Sequence, residues 1–322
     1  MKKLVRRLRF FVEVLLGFIV IALVICVAAY FWNRTDKTRE EIIQAFNTEA
    51  RSEDGTSFWR FGVRGQNVIF IHGLFGSKYT FEKLVPFLAN EFQIWAYDLR
   101  GFGFTDPRDA MDLPGQVDQL LKLMNENRLA KAVLVGHSMG GAVAQAFAAR
   151  YPNRVEHLVL VSSVDVLDTS SNPSQDTSMR EVFFSFVNSQ WGPKLMPLLA
   201  GRGTMRKLMN RLVANPQTIS DADILELTYP LLRPGFWRQL PEVLTPAPEA
   251  WKTAINRMMK GHGFPVTTIW GMNDTWSPPP QGETLCSRFR SCQFTFIEGV
   301  GHLPQMEAPE KFSTKLITSV KL

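Results

Sequence analysis

Short apolar runs alternate along most of this sequence with longer stretches of helical periodicity, and this alternation limits the possible folds most strongly. Six largely apolar runs are predicted as strands: 68–71, 94–97, 132–135, 158–161, 266–270 and 294–297. Runs that are apolar on both faces are typical of a parallel sheet covered by helices on each side. Five intervening segments have the length of crossover helices: 79–89, 114–127, 140–151, 279–289 and 309–320. The pattern predicts a doubly wound α/β fold.

The alternation of strands and helices is interrupted between about residues 165 and 250. This stretch is rich in Met, Phe, Trp, Leu and Pro, as in FFSFVNSQWGPKLMPLLAG and LLRPGFWRQL. We interpret it as a mainly helical insertion over the sheet, which we call the cap. The polar run DTSSNPSQDTS at 168–178 is typical of an exposed hinge. The predicted domain therefore spans residues 58–322 and carries the cap at about 165–250.

The N-terminal segment differs from the rest of the chain. Residues 14–32 contain no charged side chain, and as a helix they would span about 28 Å, close to the hydrocarbon thickness of a bilayer. We predict a basic tail at 1–13, a transmembrane helix at 14–32 and a polar linker at 33–57. The alternative is a cleaved signal peptide with its small-residue site at 27–29.

The formal net charge of +6 is unevenly distributed. The first thirteen residues carry +4 and the remainder only +2, which argues against a nucleic-acid-binding surface. The basic cluster outnumbers the cations that follow the apolar run, so we expect a single-pass protein with a cytoplasmic N-terminus and an extracytoplasmic domain, periplasmic if the source is bacterial. In such a compartment Cys286 and Cys292 could form a disulfide or remain two buried thiols.

A candidate nucleophile lies between a predicted strand and a predicted helix. Gly136-His137-Ser138-Met139-Gly140 follows the apolar run AVLV and precedes GAVAQAFAARY, which is the context that a G-x-S-x-G elbow requires. The glycines permit a tight turn that exposes the serine hydroxyl, and the N–H groups that begin the helix favour developing negative charge. Ser138 is therefore the predicted nucleophile.

A serine hydroxyl needs a general base, and the chain contains five histidines. Four of them lie in less suitable positions, beside the nucleophile, before a turn or strand, or in a glycine-flanked loop: His137, His72, His157 and His262. His302 follows the last predicted strand, at the sheet edge where catalytic groups gather in open α/β sheets. We therefore predict His302 as the base.

The base needs a carboxylate to fix its tautomer and to stabilise the imidazolium. Asp274 follows the penultimate strand, which gives the order Ser, Asp, His along the chain. Asp165, after the strand that follows the elbow helix, is the rival acid. The oxyanion hole requires two backbone N–H donors, and we assign them to Leu74, in the IHGLFG turn after an early strand, and to Met139.

The segments HGLFGS, DLRGFGFTD, GHSMGG, WGMNDTWSP and GVGHLPQMEAPEKF stand in the order found in one family. Over about residues 58–320 the chain resembles the serine-nucleophile α/β-hydrolases, a family that includes esterases, lipases, C–C bond hydrolases, cofactor-free haloperoxidases and acyltransferases. The predicted anchor before the domain is similar in architecture to membrane-bound monoacylglycerol lipases. A serine at the elbow argues against epoxide hydrolases and dehalogenases, which use aspartate there.

This resemblance implies acyl transfer through Ser138, His302 and Asp274, without a cofactor or a metal. We expect a hydrolase of carboxylic esters with medium or long acyl chains and a lipid or other small ester as its ligand. The alternatives are a C–C hydrolase or haloperoxidase of small metabolites, and a non-catalytic binding module. An apolar substrate pocket in the cap is predicted from five residues that could equally be ordinary packing: Trp191, Met196, Met205, Phe236 and Trp237.

Overall fold

Seven strands form one sheet within the residues described by the computed structural model. These residues are 51–105, 110–168, 185–187, 189–233 and 235–321, together with residues 11, 14, 17, 18 and 21–27. The strands are β1 Phe58–Phe61, β2 Asn67–Ile71, β3 Gln93–Tyr97, β4 Ala132–His137, β5 Val155–Val161, β6 Val266–Gly271 and β7 Gln293–Ile297. Their order across the sheet is β1-β3-β2-β4-β5-β6-β7. Every neighbouring pair is parallel except β1 with β3, so the predicted doubly wound α/β class is confirmed.

Helices cover both faces of this sheet. Those of the main domain are α1 Val85–Leu88, α2 Leu113–Glu126, α3 Met139–Arg150, α9 Pro279–Arg288, α10 Pro304–Glu307 and α11 Pro309–Lys321. Between β5 and β6 the structure describes α4 Gly192–Leu199, α5 Arg202–Leu212, α6 Asp221–Thr228, α7 Phe236–Val243 and α8 Glu249–Gly261, and residues 185–187 are also helical. Short 3-10 helices occupy Lys78–Leu84, Pro152–Arg154, Pro216–Thr218 and Tyr229–Leu232. Within the described residues of the predicted cap, all regular secondary structure is helical, and loops connect the helices.

Alternate residues of the central strands enter two different apolar layers. Leu134 and Leu158 face the layer that includes α2, α3 and the cap, whereas Val133 and Val159 face the layer with the 3-10 helix after β2 and α11. All four side chains have no exposed surface. This two-sided burial explains why the strands are continuous apolar runs in the sequence.

The strand order changes direction between β2 and β4, because the chain proceeds from β2 outward to β3 and then returns to the other side of β2. Open α/β sheets bind ligands in the crevice outside the carboxyl ends of the strands at such a switch point. The IHGLFG turn follows β2, and Ser138 follows β4. The topology therefore places the predicted oxyanion turn and the predicted nucleophile at the same crevice.

Three local features differ from the sequence-based expectations. Strand β1 was not predicted because its half-buried side chains lack a continuous apolar run. The helix predicted at 79–89 is divided into a 3-10 helix and α1, where Pro86 cannot donate a main-chain hydrogen bond. Residues 51–57 of the predicted linker contact the domain, since Arg51 Nε donates to the Phe104 carbonyl at 2.8 Å and Asp54 forms an ion pair with Arg100.

The N-terminal segment is described only in part. Residues 11, 14, 17, 18 and 21–27 are helical, and in the part of the chain that the structure describes, no helix has both the length and the apolar character needed to cross a membrane. The other residues of the predicted tail, anchor and linker up to residue 50, and residues 169–178 of the predicted hinge, lie outside the described residues. Farther along the chain, Cys286 and Cys292 form a disulfide that joins α9 to the start of β7.

Candidate active site

Ser138 lies in a strained turn between β4 and α3. Its backbone has φ 51° and ψ −117°, a conformation that costs about 1–3 kcal/mol for a residue other than glycine. The turn is held because the Ser138 N–H donates to the carbonyl of Val161 at 2.9 Å. Glycine is required beside it, since a Cβ on Gly140 would lie 2.2 Å from the carbonyl oxygen of Ile71. The strain indicates a serine that the surrounding fold holds in place.

His302 and Asp274 meet at the carboxyl edge of the sheet. His302 Nδ1 lies 2.8 Å from Asp274 Oδ2, and both residues are buried. The other carboxylate oxygen, Oδ1, accepts the N–H groups of Trp276 at 2.9 Å and Ser277 at 2.8 Å. Because the carboxylate can only accept, Nδ1 carries the hydrogen when the imidazole is neutral. Nε2 is then left with a lone pair, as a general base requires.

The rival acid Asp165 occupies a different place. Its Oδ2 lies 2.5 Å from Arg288 Nε in an ion pair, and its Oδ1 accepts the N–H of Leu167. The carboxylate that faces His302 in the structure is therefore that of Asp274, and Asp165 faces Arg288.

The turn after β2 is held so that one N–H can point into the crevice. His72 Nδ1 lies 2.8 Å from the carbonyl oxygen of Gly73, which also accepts the N–H of Gly76 at 3.1 Å. In a trans peptide the N–H points opposite to the carbonyl, so these contacts direct the Leu74 N–H away from them. A Cβ on Gly73 would lie 3.0 Å from the Ser138 Cβ, so this turn and the nucleophile are in close contact.

The second predicted donor, Met139, is the first residue of α3. N–H groups in the first turn of a helix have no acceptor within that helix, and the helix dipole there favours negative charge. Leu74 and Met139 thus lie on the two segments that flank the switch point. This arrangement suits an oxyanion hole built from main-chain donors.

His72 is a buried neutral residue whose tautomer follows from its contacts. Its Nε2 accepts the N–H of Leu99 at 3.0 Å, so the hydrogen must reside on Nδ1, which donates to Gly73. Burial lowers the pKa of His72, although nearby Asp98 acts in the opposite direction. His72 therefore braces the predicted oxyanion turn against the loop after β3.

His137 connects the elbow to the loop that carries His302. Its Nε2 lies 2.8 Å from the His302 carbonyl oxygen, and the two imidazole rings are 5.0 Å apart. Burial, together with the neighbouring His302, lowers the pKa of His137 to about 3. The ring is therefore neutral near pH 7, with its hydrogen on Nε2. The residue before the predicted nucleophile thus positions the backbone of the predicted base.

The Glu307 carboxylate accepts hydrogen bonds from main-chain N–H groups of the His302 loop and of the cap. It accepts the N–H groups of Gly301 at 3.0 Å, Leu303 at 3.2 Å and Ala214 at 2.8 Å. The His302 N–H itself donates to the Leu212 carbonyl at 2.7 Å. Burial raises the pKa of Glu307, partly offset by these bonds. The cap segment after α5 is therefore fastened to the loop of the predicted base.

The structure brings together only part of the predicted substrate pocket. Phe236 and Trp237 are buried, and their rings lie 6.4 and 5.9 Å from that of Phe75, the residue after Leu74. The other three residues are placed elsewhere: Met196 and Met205 are in the apolar core, and Trp191 is 56% exposed. The interpretation of Trp191 as a pocket residue does not agree with the structure, because its indole faces solvent.

A cavity of about 370 Å³ opens beside Met139. Its wall includes Val164, whose N–H donates to the Ser138 carbonyl at 3.1 Å, and Val243 of α7. Asp165 and Lys252 add charged groups to the wall. None of the five predicted pocket residues belongs to this wall as the structure describes it. Apolar and charged groups together make it suitable for a ligand with both characters.

Three residues that hold the site were not predicted from the sequence as site residues: His72, His137 and Glu307. Trp276, which is 48% exposed with its ring 6.5 Å from that of His302, was not predicted either. The signal for His72 and His137 was their position immediately before the key turns, but their partners lie far away in the sequence. In the described parts of the chain, no group of three or more His, Cys, Asp and Glu side chains could hold a metal ion.

Comparison with known proteins places these residues in a family context. The model of the alpha/beta hydrolase fold matches residues 66–309. The uncharacterized hydrolase YugF of Bacillus subtilis is 24% identical, over 80% of this chain and 90% of its own length. The monoacylglycerol lipase abhd6-B of Xenopus laevis is 26% identical, over 78% and 74% respectively. The crystal structure of Cfl2 from Burkholderia cenocepacia superposes with a TM-score of 0.73 at 25% identity, over 82% of this chain and 91% of Cfl2.

Proposed function

Because the chain belongs to the alpha/beta hydrolase fold family, we propose that it is a serine hydrolase that cleaves carboxylic esters through Ser138, His302 and Asp274. The observation that carries this proposal is the 2.8 Å contact between His302 Nδ1 and Asp274 Oδ2 at the sheet edge where the strained Ser138 turn lies. An imidazole oriented in this way is prepared to accept a proton at Nε2.

The reaction begins when His302 Nε2 takes the hydroxyl proton of Ser138 as Oγ attacks the ester carbonyl carbon. The carbonyl oxygen becomes an alkoxide, and the N–H groups of Leu74 and Met139 donate to it. The intermediate collapses when His302 returns the proton to the leaving alcohol, which leaves an acyl group on Ser138. Water then attacks this acyl-enzyme with His302 again as base, and the carboxylic acid is released as Ser138 recovers its proton.

The Asp274 carboxylate stabilises the imidazolium that His302 becomes during the reaction. Asp274 faces His302 directly while two main-chain N–H groups hold its other oxygen, so the carboxylate is preorganised beside the positive charge that develops. Such preorganised groups require little rearrangement during the reaction.

We assign the acyl group to a medium or long chain. The aromatic rings of Phe75, Phe236 and Trp237 form an apolar cluster next to the Leu74 donor, and the relative abhd6-B is named a monoacylglycerol lipase. Residues 14–32 would hold the enzyme at a membrane, with its domain outside the cytoplasm. The uncharged run and the preceding basic cluster support that placement, and protease protection in sealed membrane vesicles tests it.

The test measures hydrolysis of p-nitrophenyl esters from C2 to C16 by the wild type, Ser138→Ala and the control Ser287→Ala. Ser287 is an exposed serine on α9, so its substitution should leave the rate unchanged. We expect hydrolysis that rises with chain length and disappears in Ser138→Ala. Activity that remains in Ser138→Ala would refute the nucleophile, and a preference for C2 would refute the acyl assignment.

A panel of small metabolites tests the substrate class. Cleavage of a vinylogous 1,5-diketone in place of esters would indicate a C–C hydrolase, and peroxide-dependent halogenation would indicate a haloperoxidase. A folded protein without any of these activities would support a non-catalytic binding module.

A further inference from the structure

An apolar stripe runs along the outer face of cap helix α4. Trp191, Leu195 and Leu199 are 56%, 41% and 44% exposed, and their spacing of four residues places them on one side of the helix. A neighbouring side of the helix is already occupied, because Met196 is buried in the core and α4 packs against α7. The stripe therefore faces away from the domain.

The three side chains of the stripe lie together on one side of the chain segment 191–199. Singly scattered apolar side chains are normal on protein surfaces, whereas a contiguous group marks an interaction site. Here a tryptophan at the start of a two-turn helix is followed by two leucines on the same face. No part of the proposed ester chemistry uses these three side chains.

The chain around the stripe carries charge of one sign. Residues 182–220 contain five Lys and Arg and no Asp or Glu. The whole chain carries +6 and residues 1–13 carry +4, so the rest of the chain outside these two segments has a net charge of −3. The positive charge of the domain is therefore concentrated around α4 and α5.

Several of these cations are presented to solvent. Lys194 on α4, and Lys207 and Arg211 on α5, are exposed, and Arg202 is half-exposed. Lys194 Nζ lies 5.2 Å from the centre of the Trp191 ring, so a cation and the largest apolar side chain of the stripe are adjacent. Arg206 is instead paired with Asp221 and donates to the Ile219 carbonyl.

We propose that the stripe Trp191, Leu195 and Leu199 docks the cap onto the surface of an anionic lipid bilayer. Tryptophan prefers the interface between lipid and water, leucine enters the acyl-chain boundary, and Lys and Arg pair with anionic headgroups. A stable protein interface buries roughly 800 Å² on each partner, more than three side chains on a helix about 12 Å long can offer. Adsorption to a bilayer has no such minimum.

Docking at this place would bring lipid toward the aromatic cluster beside the predicted oxyanion turn. Helix α4 packs against α7, and α7 carries Phe236 and Trp237, whose rings lie near Phe75 of the predicted oxyanion turn. The proposal requires neither catalysis nor the anchor at 14–32, since it concerns a different surface. It can therefore fail or succeed independently of the proposed function.

The experiment places an environment-sensitive fluorophore on the stripe of the full chain. Leu195→Cys in a Cys26→Ser background provides one free thiol, because Cys286 and Cys292 are joined. Val63→Cys is the matched control, because Val63 is 89% exposed on the turn between β1 and β2. Each protein is labelled with nitrobenzoxadiazole and reconstituted with vesicles of phosphatidylcholine alone or with about 30% phosphatidylglycerol.

We expect a blue shift and a severalfold gain in emission at position 195 only with the anionic vesicles. About 0.5 M NaCl, which shortens the Debye length to roughly 4 Å, should reverse the change, as should Lys194→Glu combined with Lys207→Glu and Arg211→Glu. A probe at position 63 should not respond, even if residues 14–32 hold every sample on the vesicles.

An unchanged signal at position 195, an equal change at position 63, an equal change with phosphatidylcholine alone, or persistence after charge reversal would each overturn the proposal. A probe at position 195 that is already shielded before lipid is added, in a sample that light scattering shows to be dimeric, would assign the stripe to a second copy of the chain. Circular dichroism verifies that each labelled variant is folded.

Discussion

Replacing Asp274 with asparagine should reverse the tautomer of His302. In the wild type, Oδ1 accepts two main-chain N–H groups, from Trp276 and Ser277, and Oδ2 faces His302 Nδ1. An asparagine must keep its single oxygen toward the two N–H donors, because its NH₂ group cannot accept from them. The NH₂ group then donates to Nδ1, and the hydrogen of the neutral imidazole moves to Nε2.

An imidazole protonated on Nε2 cannot take the Ser138 proton. In another Ser-His-Asp triad, the same reversal of the histidine tautomer lowers kcat by about 10⁴. This decrease corresponds to roughly 5.4 kcal/mol of transition-state stabilisation. We expect a loss of 10³ to 10⁴ in kcat for Asp274→Asn, with little change in KM. The structure around the loop should persist, since both main-chain bonds to Oδ1 remain.

The assay compares ester hydrolysis by Asp274→Asn and Asp165→Asn, together with their urea unfolding. Asp165 pairs with Arg288 and not with His302, so its variant should keep kcat within about tenfold. A decrease of less than tenfold in Asp274→Asn, or an equal loss in the two variants, would refute the assignment of the acid.

Four further predictions follow from the contacts of the site. Glu307→Gln should lower the free energy of unfolding by about 2 kcal/mol, since one oxygen is replaced by a donor facing N–H groups. It should also lower kcat more than the exposed-site control Glu310→Gln. Equal effects of the two substitutions in urea melts and kinetics would contradict this role of Glu307. His72→Phe removes the brace on the Gly73 carbonyl and should reduce kcat tenfold or more with KM nearly unchanged, whereas a rise in KM alone would contradict the oxyanion role. Gly140→Ala should fail to give soluble protein, because its Cβ would meet a main-chain oxygen at 2.2 Å, and a normal melting temperature would count against the turn geometry. The pKa of His137 is lowered to about 3, so the unfolded chain binds the additional proton between pH 6.5 and 3, and the free energy of unfolding should fall as the pH falls through that window. His137→Phe should reduce the dependence of the unfolding free energy on pH, measured by urea titrations at several pH values. An unchanged dependence would refute this role of His137.

The strands of the central sheet could be predicted because both of their faces are buried. Such burial demands uninterrupted apolar runs, as in β4 and β5, and these runs are visible without any tertiary information. Strand β1 could not be predicted in this way, because it lies at the edge of the sheet and its half-exposed side chains do not form an uninterrupted apolar run. The division of the helix at Pro86 could have been predicted from the missing main-chain donor alone.

The three residues of the proposed triad could be found because the fold restricts where they can lie. A parallel sheet gathers the carboxyl ends of its strands at one edge, so Ser138, Asp274 and His302 only had to follow strands in a suitable order. His72 and Glu307 could not be found in this way. Their roles depend on contacts with Leu99 and Ala214, which no local pattern indicates.

The predicted pocket shows the limit of composition as a guide. Trp191 immediately precedes α4 and Met196 lies on it, yet one faces solvent and the other is buried. Composition cannot distinguish the two residues, because it does not indicate on which side of a helix a side chain lies. The four-residue spacing of Trp191, Leu195 and Leu199 does carry direction, and it separates the outer face of α4 from Met196.

Labelling by a fluorophosphonate probe would identify the nucleophile, because the probe reacts with a serine activated by its base. We expect rapid labelling of the wild type, equal labelling of the exposed-serine variant Ser287→Ala, and no labelling of Ser138→Ala. Mass spectrometry of a tryptic digest should locate the adduct on Ser138. Folded wild-type protein that does not react, or an adduct that persists in Ser138→Ala, would contradict the proposed serine hydrolase.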